Sequence, residues 1–113
     1  MSVNDVSITR GDTFEASIPI KSADGSVFPV TGYTVRIAVA KGSPSLDPEL
    51  IINEVGTIED GPNGIIHVEI SKEKTALLSP GTYKYDVQIT SGVGKVYTVV
   101  RYATMEIGQS ISP

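Results

Sequence analysis

Gly64-Ile65-Ile66-His67-Val68-Glu69-Ile70, then Ser71 to Leu78, then Ser79-Pro80-Gly81-Thr82-Tyr83-Lys84-Tyr85-Asp86-Val87-Gln88-Ile89 is the stretch that decides the fold. Ile66, Val68 and Ile70 alternate with His67 and Glu69, the period of a strand with one buried face. Ser71 is placed to cap one or two helical turns through Leu78, because its hydroxyl can accept from an orphan N–H. Ala76, Leu77 and Leu78 are then expected to cover the open end of a core. Pro80-Gly81 ends the turn, and Tyr83, Tyr85, Val87 and Ile89 share one face of the next strand. Strand, short crossing helix, tight turn, strand is how one sheet of a β-sandwich hands the chain to the other.

Working outward, Val3, Val6 and Ile8 form a weak first strand or arm, followed by an Arg10-Gly11-Asp12 turn. Phe14, Ala16, Ile18 and Ile20 alternate with Thr13, Glu15, Ser17 and Pro19. Pro19 cannot donate to a ladder, which puts this strand at an edge or in a bulge. Asp24-Gly25 predicts a hairpin turn, and Tyr33 to Ala40 a strand with Val35, Ile37 and Val39 on one face. Lys41 to Glu49, with Gly42, Pro44 and Pro48, reads as an exposed loop. Leu50 to Glu59 resumes β character, broken by Gly56, and Asp60-Gly61-Pro62-Asn63-Gly64 is a turn. After the Ser91-Gly92-Val93-Gly94 hairpin, the last strand changes phase. Val96, Thr98 and Val100 lie on even positions, Ala103, Met105 and Ile107 on odd ones, which predicts a bulge near Arg101-Tyr102. The polar stretch from Gly108 to Pro113 is expected to be a short flexible tail.

Seven or eight short strands with one short helix, in a chain of 113 residues, predict one all-β domain, a sandwich or small barrel, of which the crossing at the corner favours an antiparallel sandwich. Composition agrees: Val and Ile number 13 each against 4 Leu, with 10 Thr. Such β-branched side chains lose rotamer freedom in helices and pack well on pleated sheets. There is no cysteine, hence no disulfide and no thiolate metal site. The net charge of −4 and the scattered basic residues argue against a nucleic-acid partner. No apolar run approaches the length of a membrane span, so no membrane partner is expected. Met1-Ser2-Val3-Asn4-Asp5 lacks the basic and apolar regions of a secretory signal, which points to assembly in a cytoplasm.

Few residues carry chemistry. Arg10-Gly11-Asp12 spells an integrin tripeptide, but a Gly turn with Asp12 accepting from nearby backbone is the stronger reading. His67 is the only histidine, and His67-x-Glu69 is a weak metal pair; a solvent-facing strand histidine is preferred, and no metal or other cofactor is expected. Gly92-Val93-Gly94-Lys95 lacks the spacing of a phosphate loop. The Asp60–Gly64 turn supplies too few oxygens for calcium. No nucleophile lies in an activating context, so no catalytic residue is assigned and the chain is read as non-enzymatic. Tyr33, Tyr97 and Tyr102 either form an exposed aromatic platform or pack on the sheets.

Leu78, Gly81, Tyr83 and Tyr85 fall where immunoglobulin-like domains place an apolar anchor, a turn residue, the corner tyrosine and the buried cysteine two later. Tyr83 therefore resembles a tyrosine corner, whose hydroxyl bonds an upstream carbonyl; an ordinary strand tyrosine is the alternative. More of the chain fits one family. Ile8-Thr9-Arg10-Gly11-Asp12-Thr13-Phe14, the Asp24-Gly25 turn, Val30-Thr31-Gly32-Tyr33-Thr34-Val35, Asp60-Gly61-Pro62-Asn63-Gly64-Ile65-Ile66 and Gly81-Thr82-Tyr83-Lys84-Tyr85-Asp86-Val87 carry it. They resemble the N-terminal domain of phage baseplate upper proteins and related small immunoglobulin-like proteins of tailed-phage structural modules. That resemblance implies a virion location, contacts with other virion structural proteins of a tail, baseplate or fibre, frequent homo-oligomerisation and no catalysis. Val3, Val6 and Ile8 of the arm and Tyr97, Val99 and Tyr102 of the last strand are the expected contact surface, Tyr97, Val99 and Tyr102 because they lie off its inward phase. A carbohydrate-binding or adhesin-type sandwich at a cell surface is the second expectation.

Overall fold

A computed structural model describes residues 5–41 and 50–109. Val3, residues 42–49, the side chain of Tyr102 and residues 110–113 lie outside the described residues. The elements are β1 (Val6–Thr9), β2 (Phe14–Pro19), β3 (Thr34–Lys41), β4 (Leu50–Val55), β5 (Thr57–Asp60), β6 (Ile65–Ile70), α1 (Lys72–Thr75), β7 (Gly81–Thr90) and β8 (Val96–Gly108). One sheet has the order β1-β8-β7-β3-β4 and the other β2-β6-β5. The fold is an all-β sandwich with the strand order of immunoglobulin-like domains, and β1 joins β8 in parallel.

The core lies between the sheets. Val35, Ile37 and Val39 of β3, Ile66, Val68 and Ile70 of β6, and Val87 and Ile89 of β7 are all buried, each set at alternate positions. Phe14, Ala16 and Ile18 stand opposite Ile70, Val68 and Ile66 and complete the inner face of the smaller sheet. Pro19 is accommodated because β2 has a neighbour on one side only.

Gly56 does more than interrupt a strand. The chain leaves the five-stranded sheet at Val55 and enters the three-stranded sheet at Thr57. At the crossing the Gly56 N–H donates to the Val35 carbonyl at 2.8 Å. A Cβ there would stand 2.6 Å from the His67 carbonyl oxygen and 2.8 Å from Val35 Cγ1, so only glycine fits the switch.

At the β6–β7 corner, Ser71 caps α1 through its side chain and the Lys74 N–H. Thr75 and Leu78 turn inward and are buried, whereas Leu77 is 82% exposed. This corrects the expectation that Leu77 covers the core: on so short a helix only positions three apart share the inner side. Thr75 is the one fully buried polar residue among those described. Its hydroxyl donates to the Asp12 carbonyl at 2.7 Å and accepts from the Gly11 N–H at 3.1 Å. Arg10 Nε donates to the Leu78 carbonyl at 2.9 Å. The Tyr83 hydroxyl donates to the Ser79 carbonyl at 2.7 Å, and its ring is buried. Arg10-Gly11-Asp12 is thus a turn stitched to the corner.

β8 slips twice against β7. Tyr85 faces Ala103 and Val87 faces Val100, so Arg101 and Tyr102 together oppose Asp86, a bulge where the phase change predicts it. Gln88 then faces Thr98, leaving Val99 as a second extra residue. That slip was not anticipated, and it reverses the sides of the strand's first residues. Tyr97 stands opposite the buried Ile89 and turns inward, while Val96 and Thr98 turn outward with Thr90 and Gln88. The placement of Tyr97 off the inward phase is corrected accordingly. Ile8 is corrected as well: its parallel pairing with Ile107 puts both side chains in the core, out of reach of a partner.

Three outcomes follow for stability. Thr75→Val should lower the unfolding free energy by roughly 1–3 kcal/mol, because it strands the Gly11 N–H and the Asp12 carbonyl; Thr75→Ser should retain most of it, as read by urea denaturation. Gly56→Ala should cost about 1–3 kcal/mol through the clash with backbone and Val35. Burial first, and the Asp5 carboxylate second, push the Tyr85 phenol above its usual value of 10.0. A raised folded-state pKa gives stability that is complete below about pH 10 and is lost as pH rises through the folded value. Urea midpoints should therefore fall less steeply between about pH 9 and pH 11 in Tyr85→Phe than in the parent chain.

Candidate interaction site at the β8 edge

Strand β1 covers β8 only from Met105 to Gly108. Asp5 Oδ1 accepts from the Thr104 N–H at 3.0 Å, which satisfies the next backbone donor. From Val96 to Ala103, no strand among the described residues pairs with the outer side of β8. Such an edge offers unpaired N–H and C=O groups to another strand. The bulges at Val99 and at Arg101-Tyr102 twist it, leaving Val96–Thr98 as the regular segment.

The sequence delivers aromatic side chains to this end of the sandwich. The Asp24-Gly25 turn folds residues 21–27 into a small hairpin, in which the Asp24 carboxylate accepts from the Ser26 N–H and hydroxyl. Those two bonds hold its carboxyl below the usual aspartate value. The chain then returns under β8. The Phe28 N–H donates to the Ile20 carbonyl and the Val30 N–H to the Gly61 carbonyl, with Val30 fully buried. Gly64, at φ +70°, lets the Asp60–Gly64 turn approach Phe28, since a Cβ would stand 2.4 Å from the Phe28 carbonyl oxygen.

Phe28 thereby sits between two tyrosines. Its ring meets Tyr33 edge-on at 5.9 Å between centroids and Tyr97 at 5.7 Å. A hollow of about 300 Å³ opens beside them, lined by Pro19, Ile20, Lys21, Phe28 and Tyr97–Val99. Tyr97 is 40% exposed there; Val27, next to Phe28 in the chain, is 41% exposed, and Val96, on the outward face of β8, is 55% exposed. Exposed apolar surface of this kind marks contact sites when it is grouped.

The expected site residues therefore divide. Tyr97 and the half-buried Val99 line the hollow. Val6 is half-buried against the core and Ile8 lies within it. Tyr33 and Tyr97 do come together, but through Phe28, which the sequence reading passed over. Its signal was its place between the Asp24-Gly25 and Thr31-Gly32 turns, where a short segment with a buried Val30 must cross the sandwich end. Tyr83 lies at the other end of the β7–β8 pair, opposite Met105.

A second cluster occupies the outer face of the small sheet. His67 Nε2 is 3.5 Å from Glu15 Oε1 and 3.8 Å from Glu69 Oε1, and Nδ1 is 3.6 Å from Glu59 Oε1. Sequence showed only Glu69 beside it; Glu15 and Glu59 arrive by cross-strand register. In the Asp60–Gly64 turn, by contrast, the Asp60 carboxylate accepts from the Asn63 backbone and side chain, as a turn requires.

No family model matches the chain, and no curated protein shows a significant match to it. Among solved structures, it is similar to an uncharacterized protein from Bacillus anthracis str. Ames, with a TM-score of 0.45 and 17% identity over 94% of this chain and 84% of that one. It is also similar to part of a family 123 glycoside hydrolase from Clostridium perfringens, with a TM-score of 0.36 and 15% identity. That match covers 96% of this chain and 23% of the hydrolase.

Proposed function

We propose that this chain is a non-enzymatic structural module of a virion, docking within a tail, baseplate or fibre assembly through protein–protein contacts. The observation that carries the reading is the outer β8 edge at Val96–Thr98, with which no strand among the described residues pairs, with exposed Val96 on its outward face and the Phe28–Tyr97 hollow on its inward face. An extended segment of another virion protein would add to that edge by main-chain hydrogen bonds and place a side chain in the hollow. The resemblance of its turns and corner to phage baseplate upper proteins supports the same reading and adds homo-oligomerisation as a mode of assembly. On the outer face of the large sheet, Lys84 pairs with Thr104 and Gln88 with Thr98.

A cell-surface glycan is the second reading. It is favoured by one observation: Tyr97 lies beside Lys21 at the hollow, joining an aromatic ring to a charged group.

Particles purified by density gradient from an induced culture of the source strain test the proposal, with the chain detected by antibody. The chain should band with the particles, and the double variant Val96→Lys, Tyr97→Lys should be lost from them, while its circular dichroism stays that of the parent. Particles that form without the chain in them would overturn it, and binding of the multimerised chain to a glycan array would favour the second reading.

A further inference from the structure

We infer that the outer face of the β2-β6-β5 sheet is a binding site for one divalent transition cation, held by His67 Nε2, Glu15 and Glu69, with Glu59 as a positioning residue. β6 is the central strand, so register brings Glu15 of β2 opposite Glu69 and places β5 along the other side of His67. The ligand atoms of Glu15, His67 and Glu69 lie within 4.8 Å of one another. A zinc ion with bonds of about 2.0–2.2 Å needs ligands roughly 3.3–3.6 Å apart in a tetrahedral shell. The 3.5 and 3.8 Å separations from Nε2 are close to that, and the carboxylates are exposed and free to adjust.

The placement of the carboxylates around the ring supports a cation as well. Glu59 Oε1 accepts from the Ser17 hydroxyl at 2.6 Å, which fixes its carboxylate on the Nδ1 side of the ring. Nδ1 faces that carboxylate at 3.6 Å, which leaves Nε2 as the ring nitrogen turned toward Glu15 and Glu69. Two carboxylate oxygens face Nε2, at 3.5 and 3.8 Å. A metal ion at Nε2 would bring both carboxylates and the imidazole into one coordination shell. Among the described residues, Glu15, Glu59 and Glu69 make ion pairs with His67 and with no Lys or Arg. A carboxylate that orients a ligating imidazole from its other nitrogen is the usual support of a bound metal. One imidazole and two carboxylates suit zinc, cobalt or nickel better than magnesium or calcium, which take oxygen ligands alone. A cleft of about 360 Å³, lined by Val55–Thr57, His67 and Glu69 among others, gives the ion access from solvent.

His67 is the only histidine, so its imidazole nitrogens can be followed without ambiguity by long-range ¹H–¹⁵N correlation during titration of the intact chain with Zn²⁺ at neutral pH. One equivalent should bind, shifting Nε2 and leaving Nδ1 protonated. Calorimetry should show at least tenfold weaker binding for Glu15→Gln with Glu69→Gln, and for Glu59→Gln a loss of roughly 10–100-fold. His67→Gln should bind no zinc, and Mg²⁺ should not displace it. All these side chains lie on a sheet's outer face, and circular dichroism of each variant checks that the fold persists. Failure to bind up to millimolar Zn²⁺, ligation through Nδ1, or affinity unchanged in the Glu15→Gln, Glu69→Gln variant would overturn the site and leave a proton shared among these groups. Because the β8 edge takes no part, neither outcome bears on the assembly reading.

Discussion

The hydroxyl of Thr75 holds two distant parts of the chain in one place. By donating to Asp12 and accepting from Gly11, it fastens the β1–β2 turn to the helix that carries the chain from one sheet to the other. Arg10 reaches the Leu78 carbonyl and Tyr83 the Ser79 carbonyl within the same corner. These bonds satisfy backbone groups that the crossing would otherwise bury unpaired, at a cost of about 1–3 kcal/mol each. With no cysteine in the chain, hydrogen bonding at this corner takes the place of a cross-link between layers. The core residues packed against it, Leu78 and Tyr83 among them, keep water from competing for those bonds.

The two ends of the sandwich differ in character. At the corner, polar groups are consumed internally and the Arg10-Gly11-Asp12 tripeptide has its backbone and guanidinium engaged. At the far end, the β7–β8 hairpin, Phe28 and the start of β8 leave apolar side chains and a strand edge toward solvent. Edge strands of this kind are normally blunted, and here the double slip of β8 limits the regular length of the edge to a few residues. Under the proposed docking, a short edge would favour a partner that also fills the hollow over one that merely aligns its backbone. Selectivity would then come from the side chain entering beside Tyr97 and Lys21.

Much of this architecture was legible from periodicity. Val35, Ile37 and Val39, or Ile66, Val68 and Ile70, show their buried faces directly, and the Arg101-Tyr102 bulge could be read from a parity change along one strand. Features set by contacts between distant segments were not legible. Nothing local distinguishes Thr75 from its neighbours as the buried residue of α1, or shows Gly56 as a change of sheet instead of a pause within one. The second slip at Val99 was hidden because Val, Tyr and Thr alternate there with side chains acceptable to either face. That concealment also misplaced Tyr97. The gathering of Glu15, Glu59 and Glu69 around His67 depends on the register of three strands, which the sequence alone does not specify.

Joining β1 to β8 in parallel has a consequence for the order in which the molecule is built. Asp5 and Thr104 are hydrogen-bonded across 99 positions of chain, and every rung of the β1–β8 ladder spans a comparable separation. Closing so long a loop carries a large entropic cost, so these contacts form after the more local hairpins have brought their neighbours together. On the ribosome, β1 has no strand of its sheet to pair with until β8 has emerged. Ile8 must wait for Ile107, so the parallel ladder closes only after both strands have been made.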